Sequence, residues 1–514
     1  MNHMVILPVV LPALAAALML ALGKTRPAVQ RAVGLACTAL LFAVAATLLA
    51  QAPSDMPQVY ALGNWPAPFG IVMVADRLSA LLVALTALVA LAALAYAAQG
   101  WDNRGRHFHA LFQFQLMGIN GAFLTGDLFN LFVFFEVMLI ASYGLLLHGL
   151  GAPRLRAALH YVVINLAASA VFLIAVSLLY GVTGTLNMAH LAERVAQVPP
   201  ADVALVRAAG LMLLGVFAVK AALFPLYFWL PAAYSSACAP VAALFSIMTK
   251  VGVYAIIRVT TLIFGGDTGA AELTSPWLLP AALATLVLAA LGALGAERFT
   301  GLIAYLTVAS VGTMLAAVAA GGAAALSGAL FYLVHSTLVI AALFLLAELL
   351  GRQRGIAADT LRAGPALLQP ALLGLVFLLG AASVAGVPPS SGFLGKLMIL
   401  KGTQDATAVA WIWSILLGAS LITLVGCARA GSILLWNIAA PQPAADAAPA
   451  RPGEWLPLAT LLAGAVLMVV FAAPLKRYAD ATAAELLSRT AYIAAVLGPG
   501  QDRAPRALGK GGGT

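Results

Sequence analysis

Charge is scarce in this sequence. Asp, Glu, Lys and Arg together make up 9% of its 514 residues, where a soluble globular chain carries about 25%. A chain that poor in charge and 63% hydrophobic cannot cover itself with polar surface, which excludes an ordinary water-soluble fold. Cysteine is sparse too. Cys37, Cys238 and Cys427 lie far apart in apolar context, with no CxxC pair and no metal-ligand spacing, so they give no basis for redox or metal chemistry. No nucleophile motif, metal cluster or phosphate-binding loop is present either. An enzyme is therefore not expected, and neither a cofactor nor a bound metal is implied.

What fills the sequence is apolar runs of about 20 residues, the length that crosses a hydrocarbon layer. They recur from Met4–Leu22 to Leu456–Ala473. The first has no small-residue cleavage site behind a short apolar core, and reads as a retained helix. The spans are predicted at 4–22, 31–50, 75–98, 109–125, 128–149, 160–182, 207–229, 241–264, 277–295, 301–321, 326–350, 370–400, 408–436 and 455–474. The fold class is thus an all-α polytopic membrane protein with about fourteen transmembrane helices. Small residues, 47 glycines among them, suit close helix packing in lipid.

The net charge of +9 would point to nucleic acid in a soluble protein, but here the basic residues sit in short loops, a topology signal. Lys24, Arg26, Arg31, Arg104, Arg106, Arg154, Arg156, Arg298, Arg352, Arg354, Arg362 and Arg451 fall in alternate loops, which places those loops in the cytoplasm. Fourteen spans then put both termini outside, in conflict with Arg477, Arg489, Arg503, Arg506 and Lys510 in the tail. An interfacial helix at Tyr478–Leu497 and a disordered Gly-rich end would reconcile the two.

Four charges stand inside spans, where each costs about 2.5–3.5 kcal/mol and needs a partner, a wet cavity or a task. They are Glu136, Lys220, Lys250 and Lys396. A static ion pair fixing helix register is one reading. The other is proton exchange, since burial disfavours a charged lysine and a nearby carboxylate favours it. Pro225 follows Lys220, and Pro388 and Pro389 precede Lys396. Proline frees carbonyls at membrane depth, tolerated only beside protein or a water-lined cavity. An interrupted span in each half of a chain points to a repeat-built transporter. His335 reads either as a proton relay between the halves or as a hydrogen-bonding residue. Asp127 reads as a helix N-cap, Asp76 and Arg77 as interfacial, and Arg258, Glu348 and Arg429 as snorkelling residues near span ends. His107, His109, His148 and His160 cluster near basic loops without metal-ligand spacing.

Three segments carry a family resemblance: TGDLFNLFVFFEVMLIASYGLL at Thr125–Leu146, KAALFPLYFWLPAAYSSACAPVAALFSIMTKVGVYAIIR at Lys220–Arg258, and GVPPSSGFLGKL at Gly386–Leu397. With nearly the whole chain, they resemble the antiporter-like proton-pumping subunits, above all the D-type family of Mrp (Mnh, Pha) multisubunit monovalent cation/proton antiporters. The large membrane subunits of respiratory complex I are relatives. The resemblance implies two inverted five-helix repeats, at 109–264 and 277–436, with helices 7 and 12 broken. They are flanked by three N-terminal helices at 1–108 and by a last helix and tail at 455–514. It implies a proton axis of Glu136, Lys220, Lys250, His335 and Lys396, with Glu136 pairing Lys220. It also implies a multi-pass protein of a bacterial inner membrane, partnered by the other antiporter subunits, including a second homologous antiporter-like one. A proton-pumping subunit of a complex I-like or hydrogenase complex is the alternative. A scaffold whose charges serve only assembly is a third reading. Departures are Ala232 and Tyr234 in WLPAAY, where relatives often have WLPDAH, Ile340 near a family lysine, and Thr300 and Gly301 before LIAY at Leu302–Tyr305.

Overall fold

The computed structural model describes residues 3–22, 27–53, 56–266 and 275–498. Lys24, Arg26, Arg503, Arg506, Lys510 and the Gly-rich end lie outside the described residues. Helices dominate, because an apolar backbone in lipid must satisfy its own N–H and C=O groups. They run α1 Leu7–Ala21, α2 Pro27–Gln51, α3 Arg77–Ala97, α4 Phe108–Leu124, α5 Leu128–Leu146, α6 Ala152–Thr183, α7 Met188–Ala196, α8 Val203–Ala221, α9 Trp229–Ser236 and α10 Ala239–Arg258. There follow α11 Ser275–Gly295, α12 Phe299–Ala320, α13 Ala323–Gln353, α14 Pro370–Ala385, α15 Ser391–Gly402, α16 Val409–Gly431, α17 Pro452–Val470, α18 Ala472–Ser488 and α19 Thr490–Leu497. Short π-helical turns extend α10 and α16. One antiparallel hairpin, β1 Gln58–Ala61 with β2 Val72–Ala75, lies between α2 and α3.

Among the described residues, eleven helices are long and apolar enough to cross a membrane. Three expected spans fall short as single helices. α1 has 15 residues, α4 has 17, and the run 370–400 is divided between α14 and α15. The division has a local cause. α8 closes on Ala222 in left-handed conformation (φ 60°) and α14 on Gly386 (φ 81°). In both, the next N–H reaches back five residues, Leu223 N to Ala218 O at 2.8 Å and Val387 N to Ala382 O at 2.9 Å. This is the Schellman stop, with Pro225 and Pro389 three residues past the turn, where helix cannot resume at once. Ala222 holds a backbone that favours glycine.

Burial sorts the helices into pillars and shell. Every residue of α10 is buried, and nearly all of α13, while α2 and α16 are largely exposed. A helix apolar all round belongs in the interior of a bundle or in lipid, and only tertiary contacts decide which. α8 and α10 approach so closely that a Cβ on Gly252 would stand 2.7 Å from the carbonyl carbon of Lys220. Backbone contact of that kind is the small-residue packing expected in lipid.

The two ends of the bundle differ in how they treat charge. At one end, Trp101, Arg154, Arg298, Glu348, Arg352 and Asp359 converge around a cavity. At the other, α18 and α19 fold back onto the bundle, α18 against α13 and α19 against α7. Of the tail bases that conflicted with fourteen spans, Arg489 is held by the carbonyl of Gly265 at 2.6 Å, and at the start of the same tail Lys476 bonds Asp480 at 2.6 Å. Arg77 bonds Glu485 at 3.1 Å, and Tyr478 donates to the carbonyl of Arg77 at 2.7 Å. Asp127 caps α5 through Asn130 N at 2.9 Å. Asp76 and Arg258, expected at the interface and snorkelling, are instead buried together at 2.5 Å, because the returning tail covers them and Tyr492 stacks on the guanidinium. Asp76 also caps α3 with Ser79.

Candidate functional site

α6 packs between α5 and α8, and its polar residues stand where those helices carry charge. Lys220, near the end of α8, donates to Asn165 Oδ1 at 3.2 Å and to Ser169 Oγ at 3.4 Å. Ser169 in turn donates to Glu136 on α5. Its one proton has a second acceptor, the carbonyl of Asn165 at 2.9 Å. Glu136 and Lys220 are thus joined through a hydroxyl rather than closed into the direct pair that the resemblance implied, because the α6 side chain occupies the space between them. The Phe135 ring lies 5.8 Å from the ammonium.

Lys250 is fully buried on α10. Its ammonium reaches Ser310 Oγ on α12 at 3.1 Å and Thr249 Oγ1 at 3.4 Å. His335, also buried, meets Ser391 Oγ at 2.8 Å through Nδ1. Ser391 is the first residue of α15, so the histidine addresses the resumption of the interrupted helix. Half-buried Lys396 lies further along α15 and turns back to the stop of α14. It donates to the carbonyls of Val384 at 3.1 Å and Ala385 at 2.9 Å and to Ser420 at 2.9 Å. A lysine at a helix C-terminus meets orphan carbonyls and the negative end of the helix dipole together.

Of the residues singled out from sequence, Glu136 and Lys220 share Ser169, His335 meets Ser391 on the helix that also carries Lys396, and Lys250 sits on α10 against Ser310 of α12. Pro225 lies between α8 and α9, and Pro388 and Pro389 lie between α14 and α15. Sequence reasoning missed the hydroxyls and the amide that hold the charges: Asn165, Ser169, Ser310, Ser391 and Ser420. Most membrane hydroxyls bond their own preceding turn, as Thr86, Thr307 and Thr313 do. Only Asn165, a mid-span amide, carried a signal.

A bundle of many apolar helices that buries lysines among hydroxyls and carbonyls has the make-up of a multi-span membrane transporter. The chain belongs to the NADH:quinone oxidoreductase/Mrp antiporter transmembrane family, which matches residues 125–424. It is 43% identical to a Rhizobium meliloti protein named as a probable K(+)/H(+) antiporter D subunit, over 99% of both chains. It is 37% identical to the Na(+)/H(+) antiporter D subunit of Bacillus subtilis, over 97% of this chain and all of that one. A chain of the solved Mrp complex from a Dietzia species superposes with a TM-score of 0.85 at 29% identity, covering 97% of this chain and 100% of that one.

Proposed function

We propose that this chain is the proton-translocating D-type subunit of a multisubunit monovalent cation/proton antiporter in a bacterial inner membrane. One observation carries the reading. Lys220, Lys250 and Lys396 are each bound by hydroxyls, an amide or carbonyls, and none is locked to a carboxylate. A static structural pair has the form of Arg258 and Asp76, in direct contact. A lysine solvated by hydroxyls gives up and regains a proton without breaking an ion pair. Changes at Glu136, transmitted through Ser169, shift the charge of Lys220. The proton passes by Lys250 toward His335 and Lys396.

Counting α1, α4 and the α14–α15 pair with the eleven long helices makes fourteen spans. The matching stops at Ala222 and Gly386 support two inverted repeats, α4–α10 and α11–α16, with the helices of Pro225 and of Pro388–Pro389 broken. The end with Arg154, Arg298 and Arg352 faces the cytoplasm by the positive-inside rule, and the tail docks outside. Other antiporter subunits, a second homologous one among them, are the partners. An axis of three lysines against one glutamate repels sodium, a hard cation that wants several oxygen ligands, so this subunit carries protons and the metal cation crosses elsewhere. A redox-driven complex is the alternative; identities of 43% and 37% to antiporter subunits weigh against it.

The test is cation/proton exchange in membrane vesicles from cells making the complete complex. Glu136→Gln and Lys220→Ala are each expected to lower exchange by about two orders of magnitude or more while the complex still assembles, with the double variant assembling better than either. Near wild-type exchange by Glu136→Gln at matched expression removes Glu136 from the mechanism. Loss of assembly in step with loss of exchange in Lys220→Ala favours the scaffold reading instead. Saturable sodium binding by the purified subunit that requires Glu136 overturns the proton-only assignment.

A further inference from the structure

At the basic end lies a cavity of about 370 Å³, walled by α6, the α9–α10 junction, α12 and α13. Its walls are rich in charge, yet nearly all of that charge is committed. Asp359 accepts from Arg298, from Thr300 N at 3.1 Å and from Thr300 Oγ1 at 2.6 Å. Arg352 is bidentate to Glu454 at 2.5 and 2.7 Å. Arg154 donates to the carbonyls of Ser236 and Leu150, both at 2.8 Å. Glu348, on the α13 wall, is in no ion pair, and Trp101 lines the same cavity beside it. Glu348 is faced by Trp101 and Arg104 from the α3–α4 loop, Tyr96 of α3, Arg154 of α6, Cys238 before α10, and Arg352 one turn along its own helix.

α10 links the cavity to the axis. Ala239 and Ala242 line the cavity, and Lys250 lies eight residues further along α10, about 12 Å at the helical rise. Buried hydroxyls mark that stretch. Tyr234 Oη donates to the carbonyl of Phe245 at 2.8 Å and its ring touches cavity-lining Phe344. Ser246 donates to the carbonyl of Thr337 at 3.3 Å, and Thr249 receives Lys250. α9 contributes no acid, so a proton leaving the cavity meets no carboxylate on that side.

We propose that Glu348 is the cytoplasmic proton acceptor of this subunit, taking a proton at the cavity wall and delivering it along the hydroxyls of α10 to Lys250. The inference rests on the antiport reading above. The step makes and breaks only O–H and N–H bonds: the carboxylate takes a proton from hydronium, leaving water, and returns it through hydroxyl and water oxygens to the neutral amine. The surrounding arginines keep the mouth electropositive toward metal cations, while their fixed bonds leave Glu348 as the acid free to titrate.

The test uses everted vesicles holding the complete complex, so that the cytoplasmic face meets the assay buffer. Glu348→Gln is expected to lower exchange at least tenfold and flatten its dependence on buffer pH, with the complex assembled and half-saturation for the metal cation unchanged. Glu348→Asp should retain exchange with a displaced pH profile, a change that a merely structural side chain would not produce. A wild-type rate and profile in Glu348→Gln overturns the proposal. If that variant does not assemble, an undisplaced profile in assembled Glu348→Asp overturns it equally. Lys250→Ala in the same vesicles separates the two readings: if it abolishes exchange while Glu348→Gln does not, only the role of Glu348 fails. If Lys250→Ala leaves exchange intact, the axis itself is wrong.

Discussion

Replacing Ser169 by alanine removes one oxygen from the link between Glu136 and Lys220 and leaves both charges in place. The two contacts of that hydroxyl set a limit of about 6 Å between carboxylate and ammonium, so at an effective dielectric of about 20 their attraction is roughly 3 kcal/mol. That is about two orders of magnitude in an equilibrium constant. A hydrogen bond to a charged group contributes a further 1.5–3 kcal/mol, roughly 10- to 150-fold. Ser169→Ala should lose the second contribution and keep most of the first, because Lys220 retains Asn165. Exchange is expected to fall by about tenfold to a hundredfold, less than for Glu136→Gln, which loses both. The decisive measurement is the double variant. If the hydroxyl acts only by connecting the two charges, Ser169→Ala with Glu136→Gln should transport no worse than Glu136→Gln alone. Initial rates of exchange in vesicles, normalised to assembled complex, measure this. A double variant whose loss is the product of the two single losses would mean that Ser169 acts independently of Glu136 and would refute the bridge.

Lys396→Met strands the carbonyls of Val384 and Ala385. It should abolish exchange and lower stability by about 1–3 kcal/mol, read from thermal unfolding of the detergent-purified subunit; an unchanged midpoint contradicts it. Gly252→Ala drives a methyl into the backbone of α8 and should destabilise the subunit by about 1–3 kcal/mol, again by unfolding, with exchange impaired because Lys220 and Lys250 are displaced. In the docked tail, burial and then Asp76 push the Glu485 carboxyl up to about 7, outweighing Arg258 and Arg77. The docked tail therefore keeps a proton that a released tail loses above about pH 4.3. Docking is strongest below that pH and weakens as pH rises toward 7, by less than the roughly 4 kcal/mol of the full shift because solvent screens this partly exposed group. Hydrogen exchange over 472–497 should be faster at pH 8 than at pH 5 after correction for intrinsic rates, and Glu485→Gln should abolish the difference; greater protection at pH 8 rules this out.

The run lengths made a many-span bundle legible without coordinates, since an apolar stretch of about 20 residues has few places to go other than a bilayer. Charges at Glu136, Lys220, Lys250 and Lys396 were legible for the same reason, each being costly unless it has a partner or a task. Proline placement marked where α8 and α14 stop, because it acts through the chain next to it. How the tail is held was not legible: loop charges can be counted along the chain, but the acid that bonds Lys476 and the carbonyl that receives Arg489 come from its own next turn and from the end of α10.

By itself, then, the sequence determined that the chain is a bundle of many membrane-length apolar helices, where prolines follow the ends of α8 and α14, and which side chains are too costly in a span without purpose. These are local properties, read from hydropathy and backbone chemistry along the chain. Tertiary structure alone decided that Ser169 stands between Glu136 and Lys220, that Ser310 receives Lys250, that Lys396 turns back onto the carbonyls of Val384 and Ala385, and that Asp76 and Arg258 are a buried pair. Helices that are apolar on every side carry no periodicity to say which face meets which neighbour. The partners of each buried charge come from helices tens of residues away, fixed by how backbones pack.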